Sequence, residues 1–204
     1  MHFDRIVRAL HPLDAVPAGP EWNLAELDGL LEAMPPLDAA VLLGLVERDA
    51  GLHVLLTRRN EGLRLHAGQV SLPGGRVDPE DAGVLEAALR EADEEIGLPP
   101  EQARPLGYLD PVRTVTGFRV VPLIARLDPS FVARPDPAEV AAVFEVPLDF
   151  LLAHQHLREL SIEFAGRPRR VLEYAPWPGA PGQRIWGVTA SILFNLRQRL
   201  EALR

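Results

Sequence analysis

Apolar positions along this chain change their period several times, and each change marks an element. At the start, prolines cluster from Pro12 to Pro20 and at Pro35-Pro36. They bracket a stretch, Leu24 to Met34, whose leucines recur at helical spacing, so residues 1 to 36 are predicted to form one or two short helices joined by loops. From Ala39 the period shortens. Ala40 to Val46 and His53 to Thr57 read as short β-rich runs, with Asp49, Ala50 and Gly51 as the hairpin turn between them. A third run, Gly68 to Leu72, ends in Pro73-Gly74-Gly75, where two glycines allow backbone conformations closed to other residues. An acidic loop follows, then a helix of about fourteen residues that stops at Gly97 as its C-cap, with Pro99 and Pro100 beyond. Further strand-like runs lie at Pro105 to Leu109, Phe118 to Leu127, Val143 to Val146 and Arg170 to Tyr174. An amphipathic helix, Thr189 to Leu203, closes the chain.

Strands first, one helix among them, more strands and then a helix predict an α+β fold, a mixed α/β sandwich and not a doubly wound sheet. The expected layout is an N-terminal helical extension over residues 1–36 and one domain over 37–204, a length that can bury a proper core. No run reaches the roughly 18 apolar residues of a membrane span, and Met1 to Leu13 carries Asp4, Arg5 and Arg8 in place of a signal-peptide stretch. A cytoplasmic protein without a membrane partner is expected.

Composition removes several chemistries. Cysteine is absent, which excludes disulfides, thiolate zinc sites and a cysteine nucleophile. All 21 basic residues are arginine, so no lysine serves as a phosphate-loop residue, Schiff base or general base. Against them stand 29 acids, a net charge of −8 that argues against sequence-independent binding to nucleic acid. The excess is local. From Arg76 to Glu95 the acids Asp78, Glu80, Asp81, Glu86, Glu91, Asp93, Glu94 and Glu95 face only Arg76 and Arg90, and this window alone carries −6.

Within that window the helix gathers charge on one side. At about 100° per residue, with Glu91 at zero, Glu94 falls near 300° and Glu95 near 40°, so three carboxylates share one ridge. Leu85, Leu89, Ala92 and Ile96 form an apolar stripe beside it, at roughly 100° to 160°. Such stacked like charges cost about 0.2–0.5 kcal/mol per pair. They also sit at the helix C-terminus, where the macrodipole disfavours anions. A cation would compensate both penalties, and an all-oxygen set without cysteine favours Mg2+ or Mn2+ over zinc. The plain alternative is an acidic helix face solvated by water. Arg90, beside Glu94 on the helix, is placed to orient one carboxylate by a salt bridge.

Gly75 followed by Arg90-Glu91-Ala92-Asp93-Glu94-Glu95-Ile96-Gly97-Leu98 resembles the Nudix box, G-x5-E-x7-R-E-U-x-E-E-x-G-U with U apolar. The second half matches at every fixed position. The first half departs, because one residue more than the pattern allows separates Gly75 from Arg90. Counting from Gly75 puts Asp81 in the first acidic slot, and counting back from Arg90 puts Ala82 there. Upstream, Leu55-Leu56-Thr57-Arg58-Arg59, Arg64, Gly68 and Pro73-Gly74-Gly75 are similar to the signature of the coenzyme A pyrophosphatase branch of Nudix hydrolases, L-L-T-x-R-[SA]-x3-R-x3-G-x3-F-P-G-G. Asn60 stands where Ser or Ala is usual and Leu72 where Phe is usual. The Asp78-Pro79-Glu80-Asp81 loop and Ile185-Trp186-Gly187-Val188-Thr189-Ala190 are further branch-like features.

The resemblance implies a Nudix-like α/β/α sandwich with a mixed sheet, and Mg2+ or Mn2+ held by Glu91, Glu94, Glu95 and the Gly75 carbonyl. It implies cleavage of the pyrophosphate of coenzyme A or a derivative into 3′,5′-ADP and 4′-phosphopantetheine. Glu94 and Arg90 belong to the catalytic set. The base is expected from outside the box, from Glu139 in the Asp136-Pro137-Ala138-Glu139 loop in preference to Glu145 on a strand. Arg59, Arg64, His66 and Gln69 are the expected substrate contacts, while Trp186 and Phe194 are read as core. Two rivals stay open: a Nudix hydrolase of ADP-ribose, dinucleotides or nucleoside triphosphates, and a non-catalytic module that senses a nucleotide. The reading admits a homodimer.

Overall fold

The computed structural model describes residues 2–27, 31, 35–164 and 166–203. In chain order its main elements are α1 (Phe3–Ala9), β1 (Leu37–Arg48), β2 (Gly51–Arg59), β3 (Val70–Ser71), β4 (Gly74–Arg76) and α2 (Val84–Ile96). They continue with β5 (Ala103–Tyr108), β6 (Val112–Arg113), β7 (Phe118–Leu127), β8 (Val140–Pro147), α3 (Leu148–Leu152), β9 (Leu157–Phe164), β10 (Arg167–Tyr174) and α4 (Gly187–Ala202).

Strand β1 is apolar on both sides of its pleat, and that makes it central. Leu43 and Leu45 enter one core, while Ala40, Leu42 and Val46 enter the other. β7 lies parallel to it, from Leu37 opposite Phe118 to Val46 opposite Leu127. Every other pairing in the sheet is antiparallel. β2 folds back on β1 through the expected turn, β5 flanks β7, and β8 lies along the far side of β2. Short β3, β4 and β6 pair with β2, β1 and β7 respectively, so the described residues form a mixed eight-stranded sheet.

Helices cover both faces. α2 packs on one with Leu42, Leu55, Val121 and Leu123, and α1, α3 and α4 pack on the other with Leu43, Val54, Leu56 and Ile124. This is the α+β sandwich that the pattern predicted, with the three layers and the mixed sheet that the family resemblance implied. Among the described residues no helix is long and apolar enough to cross a membrane.

The N-terminal segment is tied down by a polar network. Arg199 on α4 donates to the Ala9 carbonyl, and its Nη1 lies 2.7 Å from Asp110 Oδ1. His11 Nε2 is 2.7 Å from the same oxygen, and Asn195 Nδ2 donates to Asp110 Oδ2 at 2.9 Å. Burial pushes the Asp110 carboxyl up, but the hydrogen bonds from His11, Asn195 and Arg199 outweigh it and hold the group below its ordinary value.

Two expectations change. The helical spacing of Leu24 to Met34 yields only a 3-10 turn over Leu24–Leu27, and residues 28–30 and 32–34 lie outside the described residues. The run Arg170 to Tyr174 is half of a separate two-stranded sheet in which β9 and β10 pair antiparallel, with Tyr174 opposite Leu157. β9 escapes the sequence pattern because none of its residues is buried, so it carries no continuous apolar face to betray a strand.

Candidate active site

Helix α2 is held against the sheet by small residues. Ala87, Ala88, Ala92 and Ile96 are buried, whereas Leu85 and Leu89, expected to lead the apolar stripe, are only half-buried. With alanines at the contact the helix approaches closely, and the buried face turns toward the carboxylate ridge. Glu95 thereby becomes a core residue, 2% exposed. Glu91 is half-buried and Glu94 is exposed, so three acids of one ridge enter three different environments. The helix ends as expected: Gly97 takes φ 64° and ψ 37°, and its N–H returns to the carbonyls of Ala92 and Asp93.

Arg90 organises the ridge. Its Nη1 donates to Glu91 Oε1 and to Glu94 Oε2, each at 3.0 Å. Its other edge grips Asp81 through two parallel bonds, Nε to Oδ1 at 2.9 Å and Nη2 to Oδ2 at 3.0 Å. Asp81, and not Ala82, therefore brings the acid of the first slot to Arg90, and the extra residue of the box is absorbed between Asp81 and Arg90. The Asp81 N–H donates to the Asp78 carbonyl, the Asp78 N–H donates back to Asp81 Oδ2, and this tight turn delivers the carboxylate to Arg90. The side-chain hydrogen bond from Arg90 holds the Asp81 carboxyl below its ordinary value, and the guanidinium is correspondingly raised.

Glu95 meets the upstream signature. Its Oε1 lies 3.4 Å from Arg59 Nη1 at the end of β2, and its Oε2 accepts the Gly74 N–H at 3.2 Å. Burial pushes this carboxyl up to about 7, with Arg59 and the Gly74 N–H opposing the shift and the charges of Glu91 and Glu139 adding to it. Burial also raises Glu91, against the pull of Arg90 and with help from Glu94 and Glu139. Gly75 lies directly against Glu91, where a Cβ would come within 2.6 Å of both carboxylate oxygens. β4 pairs Gly75 with Ala40 of the central strand, so this close approach is set by the sheet.

These oxygens suit a hard cation, since two of the carboxylates are desolvated and crowded enough to resist ionisation. Among the described residues no three acidic or histidine side chains already converge on a common point as ligands. The carboxylates are instead neutralised by guanidinium groups, Glu91 and Glu94 by Arg90 and Glu95 by Arg59.

The two base candidates separate. Glu145 on β8 is gripped by Arg48, Nε to Oε2 at 3.0 Å and Nη2 to Oε1 at 2.6 Å. Glu139 is exposed, one residue before β8, and its charge acts on both Glu91 and Glu95. The loop before it is strapped to the end of α2, where Asp136 N–H donates to the Glu95 carbonyl at 3.0 Å and Arg134 N–H to the Ile96 carbonyl at 2.8 Å.

Arg64, His66 and Gln69 lie on the loop between β2 and β3. Arg64 is exposed. His66 has φ 57°, an uncommon conformation for a residue with a side chain, and its Nδ1 lies 3.1 Å from Gln69 Oε1. The Gln69 carbonyl accepts the Arg59 N–H at 3.0 Å, so the loop closes beside the arginine that reaches Glu95. α4 is anchored here as well, with Thr189 Oγ1 donating to the Val70 carbonyl at 3.0 Å.

Some side chains differ from expectation. Trp186 is half-buried beneath Arg184, and Phe194 is half-buried between Trp22 and Arg197, so neither is a core residue. His154 Nε2 lies 2.8 Å from Glu201 Oε1, and His156 stacks on Phe150. Not legible in the sequence were the contact of Arg59 with Glu95 and the contacts of Asn60 with the Pro137 carbonyl and the Gly62 N–H, for which the one signal was the departure of Asn60 from the signature.

A model of the family described as the NUDIX domain matches residues 35–164. The chain is 40% identical over 163 residues to the uncharacterized Nudix hydrolase NudL of Photorhabdus laumondii, a match covering 80% of this chain and 84% of that protein. It is 44% identical over 159 residues to the protein of the same description from Cronobacter sakazakii, covering 78% and 80%. Among solved structures it is similar to a Nudix hydrolase from M. smegmatis, RenU, with 27% identity, a TM-score of 0.48 and coverage of 57% of this chain and 73% of that one.

Proposed function

The chain belongs to the Nudix family, and we propose that within it this hydrolase cleaves the pyrophosphate of coenzyme A or its derivatives. One water is consumed, one P–O bond of the pyrophosphate breaks, and the products are 3′,5′-ADP and 4′-phosphopantetheine. The observation that carries this reading is the meeting of the two sequence patterns at one carboxylate. The upstream signature delivers Arg59 and Gly74, and both touch Glu95 of the box helix.

In this reading Glu91, Glu94, Glu95 and the Gly75 carbonyl would hold Mg2+ or Mn2+. When bound, such ions neutralise phosphate charge and lower the pKa of a coordinated water. Arg90, braced by Asp81, keeps the Glu91 and Glu94 carboxylates in register on the helix. Arg59, beside Glu95, and exposed Arg64 would offer two guanidinium forks to phosphate oxygens. His66 and Gln69, coupled to each other, lie beyond Arg64 on the same loop. Glu139 takes the proton of the attacking water, since its charge acts on Glu91 and Glu95 and it makes no ion pair among the described residues, while Glu145 is committed to Arg48.

The test is product identification by mass after incubation with coenzyme A, ADP-ribose or NADH, with and without Mg2+. Metal-dependent formation of 3′,5′-ADP and 4′-phosphopantetheine at the highest kcat/KM is expected. A preference for ADP-ribose would overturn the substrate assignment, and binding without metal-dependent products would overturn the enzymatic one.

A further inference from the structure

Asn60 sits where the loop carrying Arg64, His66 and Gln69 meets the loop carrying Glu139. Its backbone N–H donates to the Glu139 carbonyl at 2.7 Å, and its side-chain Nδ2 donates to the Pro137 carbonyl at 2.5 Å. Its Oδ1 accepts the Gly62 N–H at 2.7 Å. The two side-chain partners fix the amide's orientation, because Gly62 N–H can only donate and the Pro137 carbonyl can only accept. No other short side chain meets both demands. Aspartate would set a carboxylate oxygen against the Pro137 carbonyl, and serine or alanine is too short to span the two loops.

The other side of the Glu139 loop is already fixed. Asp136 and Arg134 are strapped to the last carbonyls of α2, and within the loop the Asp136 carbonyl accepts the N–H groups of Glu139 and Val140. The Ala138 N–H adds a bond to Asp136 Oδ1 at 2.8 Å. Between β2 and β8 the register then slips, Arg58 facing Ala142 and Arg59 facing Val140, a bulge that bends the start of β8 where Glu139 leaves it. The segment from Pro137 to Glu139 therefore hangs between the end of the acidic helix and Asn60.

We propose that Asn60 is a positioning residue that sets the Glu139 carboxylate against Glu91 and Glu95 and couples its loop to the substrate loop. The proposal rests on the reading of Glu139 as the base. It explains why this chain carries asparagine where the signature it resembles has a residue too small to reach Pro137.

The test is a double-mutant cycle with Asn60→Ser and Asn60→Asp, each alone and combined with Glu139→Gln. Turnover of coenzyme A with Mg2+ is followed across pH, and amide hydrogen exchange is followed at residues 138–140. Each Asn60 variant should lower kcat by roughly 10- to 100-fold, up to the scale of a catalytic group misplaced by about 1 Å, with KM nearly unchanged and with faster exchange at 138–140. Restoring both bonds with the native asparagine should be the only rescue. In the Glu139→Gln background the same substitutions should change kcat less than about twofold, because residues acting as one unit are non-additive. If Glu139→Gln lowers kcat but the Asn60 effects add to it in full, or if exchange at 138–140 is unchanged, the positioning role is overturned while the base assignment stands. If Glu139→Gln turns over like the native protein, the base assignment fails and the proposal falls with it.

Discussion

Glu95 is placed where a carboxylate weakens the metal-free fold, and Glu95→Gln should expose that cost. The side chain is 2% exposed, and burial raises its carboxyl from an ordinary 4.5 to about 7. That gap of roughly 2.5 units, at about 1.4 kcal/mol each, amounts to about 3 kcal/mol. The sign follows from which state holds the proton more tightly. The native state does, so stability in the absence of metal should fall as pH rises from 4.5 to about 7 and level off above it. The amide variant carries no charge to bury and lacks this slope. In urea unfolding with EDTA, Glu95→Gln should be more stable than the native protein by about 3 kcal/mol near pH 8, and by less than about 1 kcal/mol near pH 5. Saturating Mg2+ should reverse the order by binding the native protein alone. The variant should also lose turnover. A Glu95→Gln protein no more stable than the native chain near pH 8, or a difference that ignores pH, would refute the account of Glu95 as a desolvated carboxylate waiting for a cation.

Other consequences are open to simpler measurements. Asp81→Asn removes the charge that Arg90 grips in a nearly covered pocket, and should cost about 2 kcal/mol in urea unfolding and more than about tenfold in kcat/KM; unchanged values would dissociate Asp81 from the acidic helix. Gly75→Ala puts a Cβ within 2.6 Å of both Glu91 oxygens, so turnover should collapse while far-UV circular dichroism stays native; full activity would remove Gly75 and Glu91 from the site. Glu145→Gln should leave kcat intact and shave about 1 kcal/mol of stability through Arg48, whereas a loss of kcat to match Glu139→Gln would reopen the choice of base. Because Asp110 titrates below its ordinary 3.8 in the fold, it contributes stability that is present above that value and lost as pH falls through the folded pKa. Asp110→Asn should therefore flatten the acid limb of a stability profile, and an unchanged limb would count against the His11, Asn195 and Arg199 network.

Much of the site was legible because its parts are local. The spacing of Glu91, Glu94 and Glu95 puts them on one helix ridge whatever surrounds them, and Gly97 ends that helix because only a residue at ease with φ 64° can. β1 and β7 declare themselves by apolar residues on both faces. The helix between strands and the α+β sandwich follow from such short-range periodicity, whereas the family resemblance rests on fixed residues at fixed spacing, from Leu55 to Gly75 and from Arg90 to Leu98.

Tertiary structure decided what depends on neighbours distant in the chain. Periodicity placed the carboxylate ridge beside the apolar stripe, but only packing through Ala87, Ala88 and Ala92 turned Glu95 into the core and left Glu94 in solvent. Counting along the box could not choose between Asp81 and Ala82, because a loop absorbs an extra residue by turning on itself, and Arg90 then recognises whichever carboxylate arrives. Sequence preferred Glu139 to Glu145 by its place on a loop, but only the fold shows that Glu145 is held by Arg48 from a strand distant in the chain. β9 was invisible for a related reason: strand pairing is satisfied by a partner's backbone, and an exposed hairpin needs no apolar code of its own. Side-chain period is written residue by residue, whereas burial and charge pairing are sums over neighbours that folding brings together.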